Sequence, residues 1–135
     1  MYQILITSLV AGLVAPLIKL FVPSNNLKFT WRDYTSYSGM PSGHAAYVFS
    51  LATIVGLKEG FSSPLFAVCF IFTLLVIRDA FGLRNIIGRQ SKILNELTKA
   101  SSQNKLTENI GHTPTQIIFG ALLGIAISLI SFYMF

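Results

Sequence analysis

Four long apolar segments dominate this chain and leave little choice of fold. A run of about 20 apolar residues matches the hydrocarbon thickness of a bilayer, where only helices and closed barrels satisfy their own backbone. We therefore expect an all-α integral membrane protein, a single domain over residues 1–135 with about four transmembrane helices. The expected helices cover approximately residues 2–22, 42–57, 64–79 and 114–135.

The composition supports a membrane location. Charged residues make up 11% of the chain, against about 25% in an ordinary soluble domain, and the mean hydropathy is +0.64. The net charge of +5 is concentrated in two connecting segments. We expect the lipid bilayer as a partner and no nucleic acid, because nucleic-acid binding requires a soluble basic face.

Basic residues predict the orientation of the helices. Segment 23–41 contains Lys28 and Arg32, and segment 82–113 contains five basic residues. With four spans both segments lie on one side, which the positive-inside rule makes cytoplasmic. Lys19, near the end of the first apolar segment, is expected to extend its ammonium group toward the interface.

The stretch between the third and fourth apolar segments has helical periodicity. It predicts an amphipathic helix over approximately residues 83–99, either lying on the membrane surface or packed beneath the bundle. Gln90 interrupts the apolar stripe, so we expect it to hydrogen-bond inside the protein. The stripe consists of Leu83, Ile86, Ile87, Ile93, Leu94 and Leu97.

Small residues recur every fourth position in the last apolar segment, at Gly120, Gly124 and Ser128. This spacing lets two helices approach closely. The partner helix belongs either to this chain or to a second copy, so a homodimer through Gly120 and Gly124 is one possibility.

The only two histidines, His44 and His112, each follow a glycine and each precede an apolar segment. Histidine can act as a nucleophile or exchange protons near neutral pH, so one ring could attack phosphorus while the other protonates the departing oxygen. Backbone N–H groups at the start of the second span would favour an anion at the same point. The structural alternative is that Ser42 caps a helix and His44 lies at the interface.

Three sequence strings resemble a known family. PSGH followed by an apolar helix, and then GHTPTQIIFGALLG, resemble the type 2 phosphatidic acid phosphatase superfamily of lipid phosphatases and vanadium haloperoxidases. The strings GMPSGHAA, RDAFGLRNIIGRQSKILN and GHTP, in this order, resemble more closely its divergent bacterial and plant membrane branch. The resemblance covers nearly the whole chain. It implies a reduced version of that helix bundle in a bacterial inner (plasma) membrane.

The resemblance implies roles for individual residues. Ser42 and Gly43 would hold phosphate, His44 would act as general acid, and His112 would be the nucleophile that forms a phosphohistidine. The superfamily has an aspartate four residues after the nucleophile, where this chain has Gln116. Its lysine-arginine motif before PSGH and its arginine before the nucleophile are not recognisable here.

Replacements for the missing groups can be proposed. Arg84 is the expected phosphate ligand, because guanidinium binds phosphate bidentately, and Arg89 is a weaker candidate. Asp79 ends an apolar segment, where an unpaired charge is costly. It either forms a salt bridge with Arg78 or Arg84 or supplies a catalytic carboxylate to the nucleophile. The expected supporting residues are Gln90, Asn95 and Gln116.

These residues predict a metal-independent phosphatase without a cofactor, acting on a lipid phosphate or a related phosphomonoester or pyrophosphate. The alternative is a non-catalytic membrane protein that binds a phosphorylated lipid headgroup, in transport or as a scaffold. Gln116 favours this alternative, and the histidine pair opposes it. A weaker alternative is a metal site formed by both histidines and Asp79, although no close ligand spacing supports it.

Overall fold

The computed structural model describes residues 2–22, 39–99, 105–108 and 111–135. This part of the chain is all-α, as expected. A π-helical turn, Asp79–Leu83, joins the third helix to the fourth, so that the two run as one continuous helix. The helices are α1 (Tyr2–Phe21), α2 (Gly43–Glu59), α3 (Pro64–Arg78), α4 (Arg84–Thr98) and α5 (Pro114–Met134).

Three helical stretches are long and apolar enough to cross a membrane, over residues 2–21, 64–98 and 114–134. Helix α2 has 17 residues, fewer than the roughly 20 that span a bilayer, so the fourth span stays a prediction. The expected break between the third span and the amphipathic helix is absent, because the chain stays helical through the π-helical turn. Lys28 and Arg32, on which the predicted orientation partly rests, lie outside the described residues.

Helix α2 occupies the centre of the bundle, where it packs against α1, α3 and, most extensively, α5. Gly120 and Gly124 bring the backbones of α5 and α2 together. A methyl group added at Gly120 would overlap the carbonyl oxygen of Ser42, and one added at Gly124 would overlap that of Ala46. The close crossing expected at these glycines is therefore present within the chain. A homodimer through the same residues stays a prediction.

Hydroxyl groups join the helices inside this apolar bundle. The Ser50 and Ser128 hydroxyl oxygens lie 2.8 Å apart, and the Ser128 hydroxyl also donates to the Ser50 carbonyl oxygen at 2.9 Å. The Thr7 hydroxyl of α1 lies 2.6 Å from that of Ser131 in α5. Thr73 of α3 donates to a carbonyl oxygen of α2 at 3.2 Å. In hydrocarbon, such bonds and close packing hold helices together, because the hydrophobic effect does not act between them.

Helix α4 turns its small and polar flank inward and its apolar stripe outward. Gly88, Ser91 and Asn95 are buried, whereas all six residues of the apolar stripe are exposed. Packing of the stripe beneath the bundle therefore does not occur in the described structure, and a position on the membrane surface stays a prediction. Gln90 is exposed as well. The prediction that it bonds inside the protein is wrong because the stripe that it interrupts faces outward.

Gly124→Ala should destabilise the bundle, because the added methyl group meets backbone atoms of α2 that cannot move aside without separating the helices. We expect the free energy of unfolding to fall by about 1–3 kcal/mol, the usual cost of overpacking. The measurement is the thermal unfolding midpoint in detergent. Gly82→Ala is the matched control, since nothing lies within 4 Å of a methyl group added there. Equal midpoints for the two variants would contradict a tight α2–α5 contact.

Candidate active site

The starts of α2 and α5 lie side by side. Ser42 donates its backbone N–H to the carbonyl oxygen of Gln116, in the first turn of α5, over 3.0 Å. Ser42 is also the N-cap of α2: its hydroxyl oxygen accepts the N–H of Ala45 at 3.4 Å, and the residue is fully buried. Thr113 caps α5 in the same way. Two helix N-termini therefore lie close together, and such termini favour an anion.

The two histidines meet at these helix starts. The ring centroids of His44 and His112 are 6.0 Å apart, and the ring planes are inclined by 60°. His112 is almost fully buried, with 2% of its surface exposed, and His44 is partly buried in the first turn of α2. The structure thus brings together the two residues that the sequence singled out as a catalytic pair.

Gln116 orients the His112 ring. Nδ1 of His112 lies 3.2 Å from Oε1 of Gln116, and the same oxygen accepts the backbone N–H of Thr113 at 3.1 Å. Because a backbone N–H can only donate, this atom must be the amide oxygen, and Nδ1 must carry the proton that it shares with that oxygen. Nε2 of the neutral ring then keeps its lone pair.

Burial lowers the pKa of His112 from 6.5 to about 4. The hydrogen bond to Gln116 raises the pKa and partly opposes burial, whereas the positive charges of His44, Lys19 and Arg84 lower it further. The imidazole of His112 is therefore neutral at physiological pH, with Nε2 available as a nucleophile.

The π-helical turn explains why Asp79 and Arg84 meet. In an α-helix successive residues rotate by about 100°, so side chains five positions apart point in different directions. In the wider turn, the Arg84 N–H bonds to the Asp79 carbonyl oxygen five residues back, and Arg84 Nε lies 3.2 Å from Asp79 Oδ2. Of the two roles considered for Asp79, the structure contains the salt bridge. The catalytic role is not supported, since Gln116 occupies Nδ1 of His112.

No three histidine, cysteine, aspartate or glutamate side chains converge on a possible metal position within the described residues. The three-ligand set considered for the two histidines and Asp79 is therefore not assembled in this part of the structure.

The other predicted site residues differ in whether they lie near the histidines or elsewhere on the helices. The Arg84 side chain is 22% exposed, and its charge acts on both histidine rings. Gly43 lies in the first turn of α2, next to His44. Arg89 is exposed further along α4. Asn95 is buried and bonds to residues 106 and 108 instead of reaching the histidines.

Lys19 also belongs to this site, although it was not among the predicted site residues. It is 3% exposed, so the expectation that its ammonium group extends to the interface is wrong. Its charge acts on both histidine rings. The preceding turn of α1 lies against the start of α2, where the Pro16 ring would be 3.9 Å from a methyl group added at Gly43. The sequence signal that could have indicated this position is the helical spacing of Lys19 with three small residues, Ser8, Ala11 and Ala15. All three are buried in the structure.

The fold and the site define a helical membrane protein in which two histidine rings face each other near cationic side chains. A family model described as the Divergent PAP2 family matches residues 1–127, and the chain belongs to this family. A relative from Bacillus subtilis (strain 168), the uncharacterized membrane protein YuiD, is 36% identical. The alignment covers 97% of this chain and 94% of the relative. No solved structure matches the chain significantly. Family membership establishes a kinship with phosphatases without naming an activity.

Gln116→Glu should raise the pKa of His112 above about 4, because a carboxylate beside Nδ1 stabilises the imidazolium. Glutamate also suits this third position of a capping box. Gln116→Ala should lower the pKa further, since the present hydrogen bond raises it. The measurement is a titration of ¹⁵N-labelled histidine by NMR, with two histidines to assign. Shifts of the same sign in both variants would contradict the Gln116–His112 bond.

Proposed function

We propose that this chain is a metal-independent membrane phosphatase acting on a lipid phosphate, or on a related phosphomonoester or pyrophosphate, through a phosphohistidine. The observation that carries the proposal is the pair of histidine rings 6.0 Å apart, of which His112 has Nδ1 bonded to Gln116. A buried neutral imidazole beside a second imidazole suits a nucleophile and its proton donor.

In the first step, Nε2 of His112 attacks phosphorus, and the bond from phosphorus to the ester oxygen breaks as an N–P bond forms. His44, protonated at the start of this step, gives its proton to the departing oxygen, so the alcohol leaves neutral. In the second step, water attacks phosphorus, the N–P bond breaks, and His44 takes a proton from that water. Phosphate leaves, and both histidines return to their starting states.

Two cations and a helix start would hold the phosphoryl oxygens. Asp79 binds Arg84 through Nε, which leaves the two terminal guanidinium nitrogens for a bidentate contact with phosphate. Lys19 would approach from α1, and the N–H groups around Gly43 from α2. Ser42 supports this arrangement as the cap of α2, because its own N–H and hydroxyl oxygen are bonded within the protein.

An apolar groove beside the site favours a lipid over a soluble phosphate ester. It encloses about 360 Å³, and two of its lining residues directly precede site residues in the chain. Ile18 precedes Lys19, and Pro41 precedes Ser42. A lipid phosphate has a charged group attached to hydrocarbon, and we place the hydrocarbon in this groove. Further residues that line it are Met40, Phe119, Leu122 and Leu123.

We further propose that the site faces the cytoplasm of a bacterial plasma membrane. The five basic residues of segment 82–113 follow the end of α3 nearest the histidines, and basic segments remain on the cytoplasmic side. The match to a bacterial membrane protein also supports this location.

The test is phosphate release from a panel of lipid phosphates by the purified protein in lipid nanodiscs. We expect release by the wild type, at least ~100-fold less by His112→Ala, and an acid-labile phosphohistidine on His112 alone. Lys19→Met should weaken phosphate binding about 10–100-fold, the worth of a charged hydrogen bond. Lys58→Met is its control, because Lys58 is exposed at the opposite end of α2.

A second function, headgroup binding without hydrolysis, is favoured by the neutral Gln116 in place of a carboxylate. In that case the wild type releases no phosphate, or no more than His112→Ala, yet lipid phosphate still binds and Lys19→Met weakens the binding. Release that depends on His112 would refute this second function.

A bulky side chain in this groove should weaken the use of lipid phosphates and leave that of soluble phosphate esters unchanged. Leu122→Trp is expected to raise KM about 10-fold for a long-chain lipid phosphate, by displacing hydrocarbon from the groove, and to leave a short-chain phosphomonoester unaffected. The matched control is Val68→Trp, in a separate apolar groove of about 480 Å³ on α3 whose lining residues do not adjoin the site. Equal effects of the two variants would show that the groove containing Leu122 does not bind the hydrocarbon chain of the substrate.

A further inference from the structure

The residues that lead into His112 are tied to α4 by Asn95. The Asn95 side chain pairs with both backbone groups of Leu106: its Nδ2 donates to the Leu106 carbonyl oxygen at 3.0 Å, and its Oδ1 accepts the Leu106 N–H at 2.9 Å. Nδ2 also donates to Glu108 Oε1 at 2.9 Å. Asn95 is 8% exposed, and its side-chain amide pairs with the backbone N–H and C=O of Leu106 as the backbone of a neighbouring β-strand would.

Two further ties follow closer to the histidine. Gly111 lies directly against Asn85, at the start of α4, where an added methyl group would overlap the Asn85 side chain and reach within 3.0 Å of its backbone nitrogen. The N–H of His112 itself donates to the carbonyl oxygen of Ala80, in the π-helical turn, at 3.2 Å. The three ties thus connect Leu106, Gly111 and His112 to the continuous helix formed by the π-helical turn and α4.

The order of the ties shows that the two stretches run in opposite directions. Ten residues separate Asn95 from Asn85, which is a rise of about 15 Å along a helix. Leu106 lies at Asn95, toward the far end of α4, whereas Gly111 lies at Asn85, near its start. Without the first tie, the contacts of Gly111 with Asn85 and of His112 with Ala80 must hold this side of the site.

We propose that Asn95 and Asn85 are positioning residues that hold Leu106 and Gly111 against α4 and thereby fix the depth and orientation of the His112 ring. The proposal assigns a task to the polar flank of α4, which faces inward although it does not reach the histidines. It rests on the proposed function only in treating His112 as the attacking group.

The proposal predicts that loosening the first tie changes His112 at a distance. In the full-length Asn95→Leu variant, both bonds to Leu106 are lost, so the ring should become less buried and the pKa of His112 should rise by at least one unit from about 4. ¹⁵N-histidine NMR in nanodiscs measures it. If the chain hydrolyses lipid phosphates, kcat should fall ~10–100-fold with little change in KM, because the nucleophile is displaced while phosphate binding remains.

Thr98→Ala is the matched control, one turn further along α4, since the exposed Thr98 hydroxyl donates to the Leu94 carbonyl oxygen of its own helix. It should leave the His112 titration unchanged. Gly111→Ala, which acts at the second tie, should shift the titration in the same direction as Asn95→Leu.

A rescue experiment covers the case in which Asn95→Leu disturbs the whole fold. Asn95→Cys and Leu106→Cys, combined with Cys69→Ala, allow a short thiol crosslinker to restore the first tie in the same protein. The pKa of His112 should return toward about 4 on crosslinking. An unchanged titration in Asn95→Leu, or equal titrations before and after crosslinking, would overturn the proposal. If the wild type releases no phosphate, the proposed activity is refuted. The NMR titration of His112 still tests whether Asn95 and Asn85 position its ring.

Discussion

The rest of the site depends on the direct contact between the backbones of α2 and α5. At Gly120 and Gly124 no side chain separates the two helices, and the Ser42 N–H donates to the carbonyl oxygen of Gln116. This hydrogen bond therefore fixes the positions of the two helix starts relative to each other. The packing of α2 against α5 sets the distance between the two helix starts, and it is more rigid than the geometry of a loop.

The site is rich in positive charge and poor in carboxylate. The charges of Lys19 and Arg84 act on the histidines, which lie at two helix starts, and Asp79 offsets part of this charge. A carboxylate in place of Gln116 would compete with phosphate for these cations and would raise the pKa of His112. A neutral amide oxygen keeps the tautomer that leaves Nε2 free without either effect. In the proposed mechanism, the absence of a carboxylate beside His112 is thus consistent with a site that relies on preorganised cations.

The extent to which this arrangement could be predicted differs between elements. Apolar length located the helices, and small-residue spacing located the face of α5 at which another helix crosses, without identifying that helix as α2. The inward face of α4 was missed because periodicity assigns apolar residues to the interior, whereas in lipid the exposed faces are apolar and small or polar residues pack inside. Lys19 was overlooked because a charge at the end of a span is ordinarily solvated. The pairing of Asp79 with Arg84 stayed open, since no sequence pattern marks a π-helical turn.

The π-helical turn also makes the site sensitive to the number of residues in the chain. Such a turn is a helix with one additional residue in its hydrogen-bond register. Removal of one residue between Asp79 and Leu83 would restore a regular helix and rotate everything beyond it by about 100°. Arg84 would then turn away from the histidines, and Asn85 and Asn95 would turn away from Gly111 and Leu106, although no side chain at the site had been changed. At this joint, the length of the chain determines the site as strictly as the identity of its side chains.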